Sequence, residues 1–140
     1  VPHASLTRTV RFSAAHRYYR PDWSAEKNRV AFGACANEPG HGHTYHCAVT
    51  IYGPVSAERG MVMDLAALDA ILRAEIVEPL DHQHINHAIP EFAYGAQIPT
   101  AEMLAVYLWH RLSPRMPAGV ELMRVRVEED ETLSAEYTGA

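Results

Sequence analysis

The sequence predicts an α+β domain: an antiparallel four-stranded sheet with two helices on one face, in the order strand, strand, helix, helix, strand, strand. Three observations predict it. Apolar residues alternate with period two in two N-terminal and two C-terminal stretches, as half-buried strands require. Between them, two stretches carry leucines at helical spacing, each preceded by a capping residue. The size, 140 residues with 48% hydrophobic and 21% charged content, suits a single domain that builds its own core. No repeat or low-complexity linker divides it, so residues 1–140 are read as one domain.

The first strand runs from Leu6 to His16. Leu6, Val10, Phe12, Ala14 and His16 share one face, and Ser5, Thr7, Thr9, Arg11 and Ser13 share the other. Arg8 interrupts the apolar face near its open end. Residues 17–40 read as a long irregular connection punctuated by Pro21, Gly33, Pro39 and Gly40, with a short helical turn over Ser24–Arg29. A connection of this length in a compact domain is generally functional. The second strand, His43–Tyr52, turns Tyr45, Cys47, Val49 and Ile51 inward, and Gly53-Pro54 ends it. Met61–Met63 is expected as a short returning strand.

Asp64 caps the first helix. Leu65, Leu68, Leu72 and Ile76 line one side of it, and Pro79 stops it. A polar loop with Asp81 and His82 follows. Thr100 caps the second helix, Ala101 to about Leu112, with Leu104, Leu108 and Leu112 along one face. Val120–Glu129 forms the third strand, with Met123, Val125 and Val127 on its apolar face. Leu133–Tyr137 forms a short fourth.

Composition excludes several classes. Twelve Lys+Arg against 17 Asp+Glu give a formal charge of −5 with no basic run, which argues against a nucleic-acid partner held through its phosphates. No stretch approaches the roughly 18 continuous apolar residues of a membrane span. Two cysteines, Cys35 and Cys47, cannot form a disulfide framework, and no charged-then-apolar leader opens the sequence. A reducing, cytoplasmic setting is the expectation.

Nine histidines are a high count, and they cluster: His41, His43 and His46 in one group, His82, His84 and His87 in another. His41 and His43 are two apart at the start of a strand, so both imidazoles share the face that continues into Tyr45 and Cys47. His16 ends the first strand on its core side. If the two strands are neighbours, three imidazoles converge at one end of the sheet. Three neutral nitrogen ligands with an open position are the arrangement of a catalytic zinc site. Cys47 on an apolar face reads as a small core residue, whereas Gly33, Asn37, Glu38 and Gly40 around Cys35 suggest an open loop. Asp81-His82 is either a helix-terminating polar loop or an oriented imidazole that takes a proton from a thiol. Glu129 closes a buried apolar face, where a carboxylate is costly unless paired. It is either solvated at the strand end or placed for a ligand with N–H donors.

Taken together, these residues resemble the 6-pyruvoyl-tetrahydropterin synthase family from about Thr9 to Tyr137. The resemblance is carried by F-S-A-A-H at Phe12–His16 and F-G-A-C-A-N-E-P-G-H-G-H at Phe32–His43. It continues with G-M-V-M-D-L at Gly60–Leu65, P-L-D-H at Pro79–His82, P-T-A-E at Pro99–Glu102 and V-R-V-E-E at Val125–Glu129. It implies the tunnelling fold, whose ββααββ units assemble as hexamers of two trimers. Strands join across subunits into a barrel, with active sites at the interfaces. It places zinc, the implied cofactor, on His16, His41 and His43. The catalytic cysteine falls on Cys35, its Asp and His partners on Asp81 and His82, and the pterin-anchoring glutamate on Glu129. Thr100 and Glu102 match the pterin-pocket motif, but Met103 stands where that motif has Asn and Ala101 replaces a hydroxyl found in some members.

The implied substrate is the small-molecule pterin 7,8-dihydroneopterin triphosphate, converted to 6-pyruvoyl-tetrahydropterin with loss of triphosphate. 6-carboxytetrahydropterin synthase, on the route to deazapurines such as queuosine, is the nearest alternative. Its branch commonly shows a shorter C-x3-H-G-H spacing, against C-x5-H-G-H here. Glu38 keeps a third branch open, cleavage of dihydroneopterin to 6-hydroxymethyl-dihydropterin, although the presence of Cys35 counts against it. A zinc hydrolase would leave Cys35 and Glu129 without roles, and a non-catalytic pterin binder would leave Cys35, Asp81 and His82 without them. Arg17, Arg20 and Lys27 are the basic candidates for the triphosphate.

Overall fold

A computed structural model describes residues 1–140. Two long strands, β1 (His3–His16) and β2 (His41–Pro54), pair antiparallel, with Val10 opposite Cys47 and His16 opposite His41. β4 (Glu121–Asp130) takes the other side of β2, and β5 (Leu133–Tyr137) pairs with β4, both antiparallel. A two-residue strand, β3 (Gln83–His84), lies parallel to β1 at Ala14–Ala15. The order is β3-β1-β2-β4-β5. The sheet is therefore five-stranded and mixed, which corrects the expected four-stranded antiparallel one. Two residues are too few to show a period of two, so β3 left no pattern to read.

The inward side chains of the sheet meet the helices in one apolar core. Phe12, Tyr45, Cys47, Val49, Ile51, Val125 and Val127 pack with Leu68, Leu72, Leu104, Leu108 and Leu112. Arg8, the interruption on β1, reaches Asp69 of α2 (Leu65–Leu72) through two bonds of 2.8 and 3.0 Å. The Asp64 side chain caps α2 by accepting from the Ala67 N–H at 3.1 Å.

Three elements depart from expectation. α2 widens into a π-helical turn (Arg73–Val77) and resumes as α3 (Glu78–Leu80), passing through Pro79 instead of stopping there. The resumption puts Pro79 in the first turn of a new segment, where its missing N–H and fixed φ cost little. Met61–Met63 forms no strand. A bond from the Ser56 N–H to the Met61 carbonyl (2.9 Å) closes a turn, and Met63 goes into the core. Met123 is 44% exposed: the register steps from Thr50 opposite Arg124 to Ile51 opposite Leu122, leaving Met123 as the extra residue of a bulge. A bulge reverses which residues face inward, so Leu122 packs on the core in its place.

The 17–40 connection is more ordered than the sequence suggests. α1 (Ala25–Phe32) is capped by Ser24, and a 3-10 turn (Gly33–Ala36) follows. Buried Asn28 ties the connection together, accepting from the Arg20 N–H and donating to the carbonyls of Arg20 and Ser24. α4 (Ile85–Ala88) and a 3-10 turn (Pro90–Phe92) lead towards α5 (Ala101–Leu112), the expected second helix. No helix is long and apolar enough to cross a membrane.

Candidate metal and substrate site

Pairing of β1 with β2 brings the three histidines together. His16 is the last residue of β1, His41 the first of β2 directly opposite, and His43 lies one period further along. Their ring centroids are 4.9, 5.1 and 4.9 Å apart. Gly40 allows the chain to enter β2 here. Its φ is +112°, and a Cβ there would collide with the His16 carbonyl, so only glycine fits.

Glu129 joins them from β4. His16 is wholly buried and Glu129 is 6% exposed. Glu129 Oε1 lies 3.1 Å from His16 Nε2 and 3.0 Å from His43 Nε2. Neither contact has the angle of a hydrogen bond, and both nitrogens are buried without a hydrogen-bond partner. Orphaned buried nitrogens are rare and call for an explanation. One donor atom from each of His16, His41, His43 and Glu129 lies within 4.8 Å of the others. The three imidazole nitrogens converge on a shared space beside the carboxylate instead of pairing off, as the ligands of a cation do.

The surroundings favour ligating forms. His16 Nδ1 is 3.1 Å from the Pro99 carbonyl oxygen and 2.8 Å from the Tyr45 hydroxyl. A carbonyl only accepts, so this contact puts the proton on Nδ1 and leaves the Nε2 lone pair free. Burial is the main force lowering the pKa of His41, helped by the neighbouring histidines. Burial also lowers that of His43, against an opposing pull from Glu129. Both are thus held neutral at pH 7, the form that binds metal. Neutral imidazoles beside an ionised carboxylate suit zinc.

Cys35 sits half-buried in the 3-10 turn, its carbonyl accepting from the Tyr18 N–H at 2.9 Å. Burial first, and then the Glu129 charge, push its thiol above the ordinary value. At neutral pH this thiol needs a base to become a thiolate.

Asp81 and His82 follow α3. The Ser13 N–H donates to Asp81 Oδ1 (2.8 Å), while the His82 N–H donates to the Ser13 carbonyl (2.6 Å). Asp81 Oδ2 holds His82 Nδ1 at 3.0 Å. His82 adopts φ +61°, a left-handed conformation that costs a non-glycine residue roughly 1–2 kcal/mol. Its side chain is 83% exposed and lines an open cleft with Ser13, Ala15, Gly42 and Thr44. The same cleft is lined by Ala14 and by His43 of the histidine cluster. No hydrogen bond joins Cys35 to Asp81 or His82 within the chain.

Thr100 caps α5, its hydroxyl accepting from the Met103 N–H at 3.1 Å. Glu102 is in the first turn; burial first, and then the charges of Glu129 and Glu102, push the Tyr18 phenol above its ordinary value. The structure thus gathers His16, His41, His43 and Glu129, sets Thr100 and Glu102 at the start of α5, and places His82 on a cleft shared with His43 but not bonded to Cys35. Sequence reasoning missed Tyr18, Tyr45 and Pro99. Tyr45 and Tyr18 continue the period-two face on either side of the histidines, which was a usable signal. A main-chain carbonyl such as that of Pro99 leaves none.

A sheet ending in three convergent imidazoles and a carboxylate, with a thiol beside them, is the framework of a metal-dependent enzyme. Comparison with known proteins narrows this: the family described as 6-pyruvoyl tetrahydropterin synthase matches residues 5–140. Human 6-pyruvoyl tetrahydrobiopterin synthase is 40% identical over 136 residues, 97% of this chain and 92% of the human one. The Drosophila melanogaster protein of that name is 34% identical over 138 residues, 99% and 81% of the two chains. The solved structure of Caenorhabditis elegans 6-pyruvoyl tetrahydropterin synthase superposes with a TM-score of 0.90 at 32% identity, covering 99% of this chain and 97% of that one. The chain belongs to the 6-pyruvoyl tetrahydropterin synthase family.

Proposed function

We propose that this chain is a zinc-dependent lyase that converts 7,8-dihydroneopterin triphosphate to 6-pyruvoyl-tetrahydropterin and inorganic triphosphate. The observation that carries the reading is the set of histidine nitrogens, two of them buried without hydrogen-bond partners, converging beside Glu129. The names of its relatives supply the substrate class. His16, His41 and His43 hold the metal. When bound, zinc supplies Lewis acidity that makes protons on neighbouring substrate carbons easier to remove. Cys35 is the general base, and His82, oriented by Asp81, takes the thiol proton. Glu129 accepts from the N–H edge of the pterin, with Thr100 and Glu102 at the pocket rim. Internal rearrangement balances the redox change, so no external oxidant is needed.

The raised thiol of Cys35 and the exposed, pre-oriented His82 support a relay between subunits, in which His82 of one copy serves Cys35 of the next. β1 meets β3 only at Ala14–Ala15, and β5 ends the sheet, so both edges are open to strands of further copies. A hexamer of two trimers working in the cytoplasm is the assembly we infer.

Product analysis tests the reading. Metal-loaded protein given 7,8-dihydroneopterin triphosphate should release triphosphate and form the 6-pyruvoyl product. Release of acetaldehyde would move it to the 6-carboxytetrahydropterin branch, against which the C-x5-H-G-H spacing of Cys35–His43 counts. 6-hydroxymethyl-dihydropterin would point to Glu38. No turnover by a zinc-loaded oligomer would overturn the proposal.

A further inference from the structure

The second histidine group is only partly accounted for: His82 has a role above, while His84 and His87 have none. His84 sits on β3, its main chain paired with Ala15, one residue before His16. Its Nε2 lies 2.8 Å from the Pro39 carbonyl oxygen. A carbonyl only accepts, so Nε2 carries the proton and donates. Nδ1 is buried without a partner, which makes the bond to Pro39 the one hydrogen bond of the ring. It is also the one bond from any side chain to the main chain of residues 37–40, between the turn that carries Cys35 and the start of β2.

Neighbouring rings hold His84 in place. His87 stacks on it with centroids 3.9 Å apart and planes 10° from parallel. Tyr94 packs edge-on against His87 at 5.9 Å. The Arg17 guanidinium in turn lies 5.8 Å from the Tyr94 ring centre, and its Nε donates to the Ala36 carbonyl at 2.8 Å. One run of contacts thus grips the segment after Cys35 at both ends, at Ala36 through Arg17 and at Pro39 through His84.

We propose that His84 is a positioning residue for Cys35: by holding the Pro39 carbonyl it fixes the Gly33–Gly40 loop against the sheet edge and keeps the turn that bears the thiol in place at the end of β1. The inference rests on Cys35 as the base of the proposed reaction. A reacting group displaced by about 1 Å can lose about 10²-fold in rate, so a base carried on a loop depends on what ties the loop down. His84 acts through the main chain and belongs to neither the metal ligands nor the pterin contacts. Its loss should therefore lower kcat and leave KM and zinc content alone.

The test separates the hydrogen bond from the ring, in the zinc-loaded protein. His84→Phe keeps a ring to stack on His87 and removes the donor. His84→Gln removes the ring and keeps an N–H donor of similar reach. His84→Phe should lower kcat for 7,8-dihydroneopterin triphosphate about tenfold, with KM within about twofold, and His84→Gln should recover most of the lost rate. Alkylation by iodoacetamide reads the turn without substrate, because Cys47 is wholly buried and Cys35 is the thiol left to react. His84→Phe should raise the alkylation rate about threefold to tenfold, the reach of one lost hydrogen bond, and His84→Gln should return it towards the parental value. Parental kcat and alkylation rate in His84→Phe, or a greater loss of kcat in His84→Gln than in His84→Phe, would overturn the role of His84. Alkylation rates as expected in a protein that does not turn over the triphosphate would support the tie at Pro39 and overturn the pterin reading instead.

Discussion

Cys47 lies in the middle of β2 with no exposed surface, and burial alone pushes its thiol from 9.0 up to about 12. The folded state thus keeps a proton that the unfolded chain loses near pH 9. Stability from this group is complete below pH 9 and falls as pH rises towards 12. Denaturation followed between pH 8 and 11 should show that decline, and Cys47→Ala should flatten it at a cost of about 1 kcal/mol for the small cavity. The same variant should turn over normally. Cys35→Ala should instead keep zinc and pterin binding while losing turnover by about 10²–10⁴-fold, the usual worth of a general base. Exchange of the two phenotypes would reverse the assignment of the cysteines. Glu129→Gln should weaken pterin binding about tenfold to a hundredfold through loss of a charged acceptor. It should retain one zinc per chain, because three imidazoles remain. His41→Ala should lose most of the zinc and stay folded, as plasma mass spectrometry and circular dichroism would show. At this scale the sequence was informative where side-chain chemistry met periodicity: the histidine trio, and the contrast between a cysteine among apolar alternation and one among Gly, Asn and Glu. Tyr18 escaped because its segment reads as loop, although it keeps the phase of β1.

α5 links packing to the site. Thr100 caps it, and Pro99, one residue earlier, offers the carbonyl that holds His16 Nδ1. Thr100→Ala should cost about 1 kcal/mol of stability, a drop of a few degrees in melting temperature. The slackened start should also weaken zinc binding about tenfold, the lower end of what the loss of an outer-sphere partner costs. Competition with a chromophoric chelator would measure this, and unchanged zinc affinity would separate the cap from the site. Elements with regular period were legible from end to end: β1, β2, β5 and α5 lie within a few residues of where alternation or leucine spacing placed them. Irregular ones were not. The bulge at Met123 inverts the alternation for part of β4, so counting by twos turned Met123 inward and Leu122 outward. The π turn at Arg73–Val77 shifts the helical phase by one residue, which carries the chain past Pro79. Both are insertions of a single residue, and a periodic reading has no term for them.

The molecule as a whole holds its candidate thiol and its candidate proton acceptor in two places, with no hydrogen bond between them. Cys35 sits half-buried in the turn that Tyr18 ties to the end of β1 beside the candidate metal site. His82 lines an open cleft with Ser13, Ala15, Gly42, His43 and Thr44, anchored by Asp81. In the proposed relay two copies of the chain contribute to one site, and the edges at β1 and β5 are where copies would join. Mixing experiments follow from this geometry. Cys35→Ala and His82→Ala should each be inactive as pure oligomers. Co-assembled in equal amounts, they should regain about a quarter of parental activity, because a site formed between neighbours is intact when each supplies its unaltered residue. Sedimentation should give the mixed sample the mass of the parent oligomer, several times the 15.6 kDa of one chain. Simple mixing of preformed oligomers, without dissociation and reassembly, should restore nothing. If co-assembled oligomers of the correct mass stayed inactive, Cys35 and His82 would have to meet within one chain, and the loop from Gly33 to Gly40 would have to move across the sheet edge to bring them together.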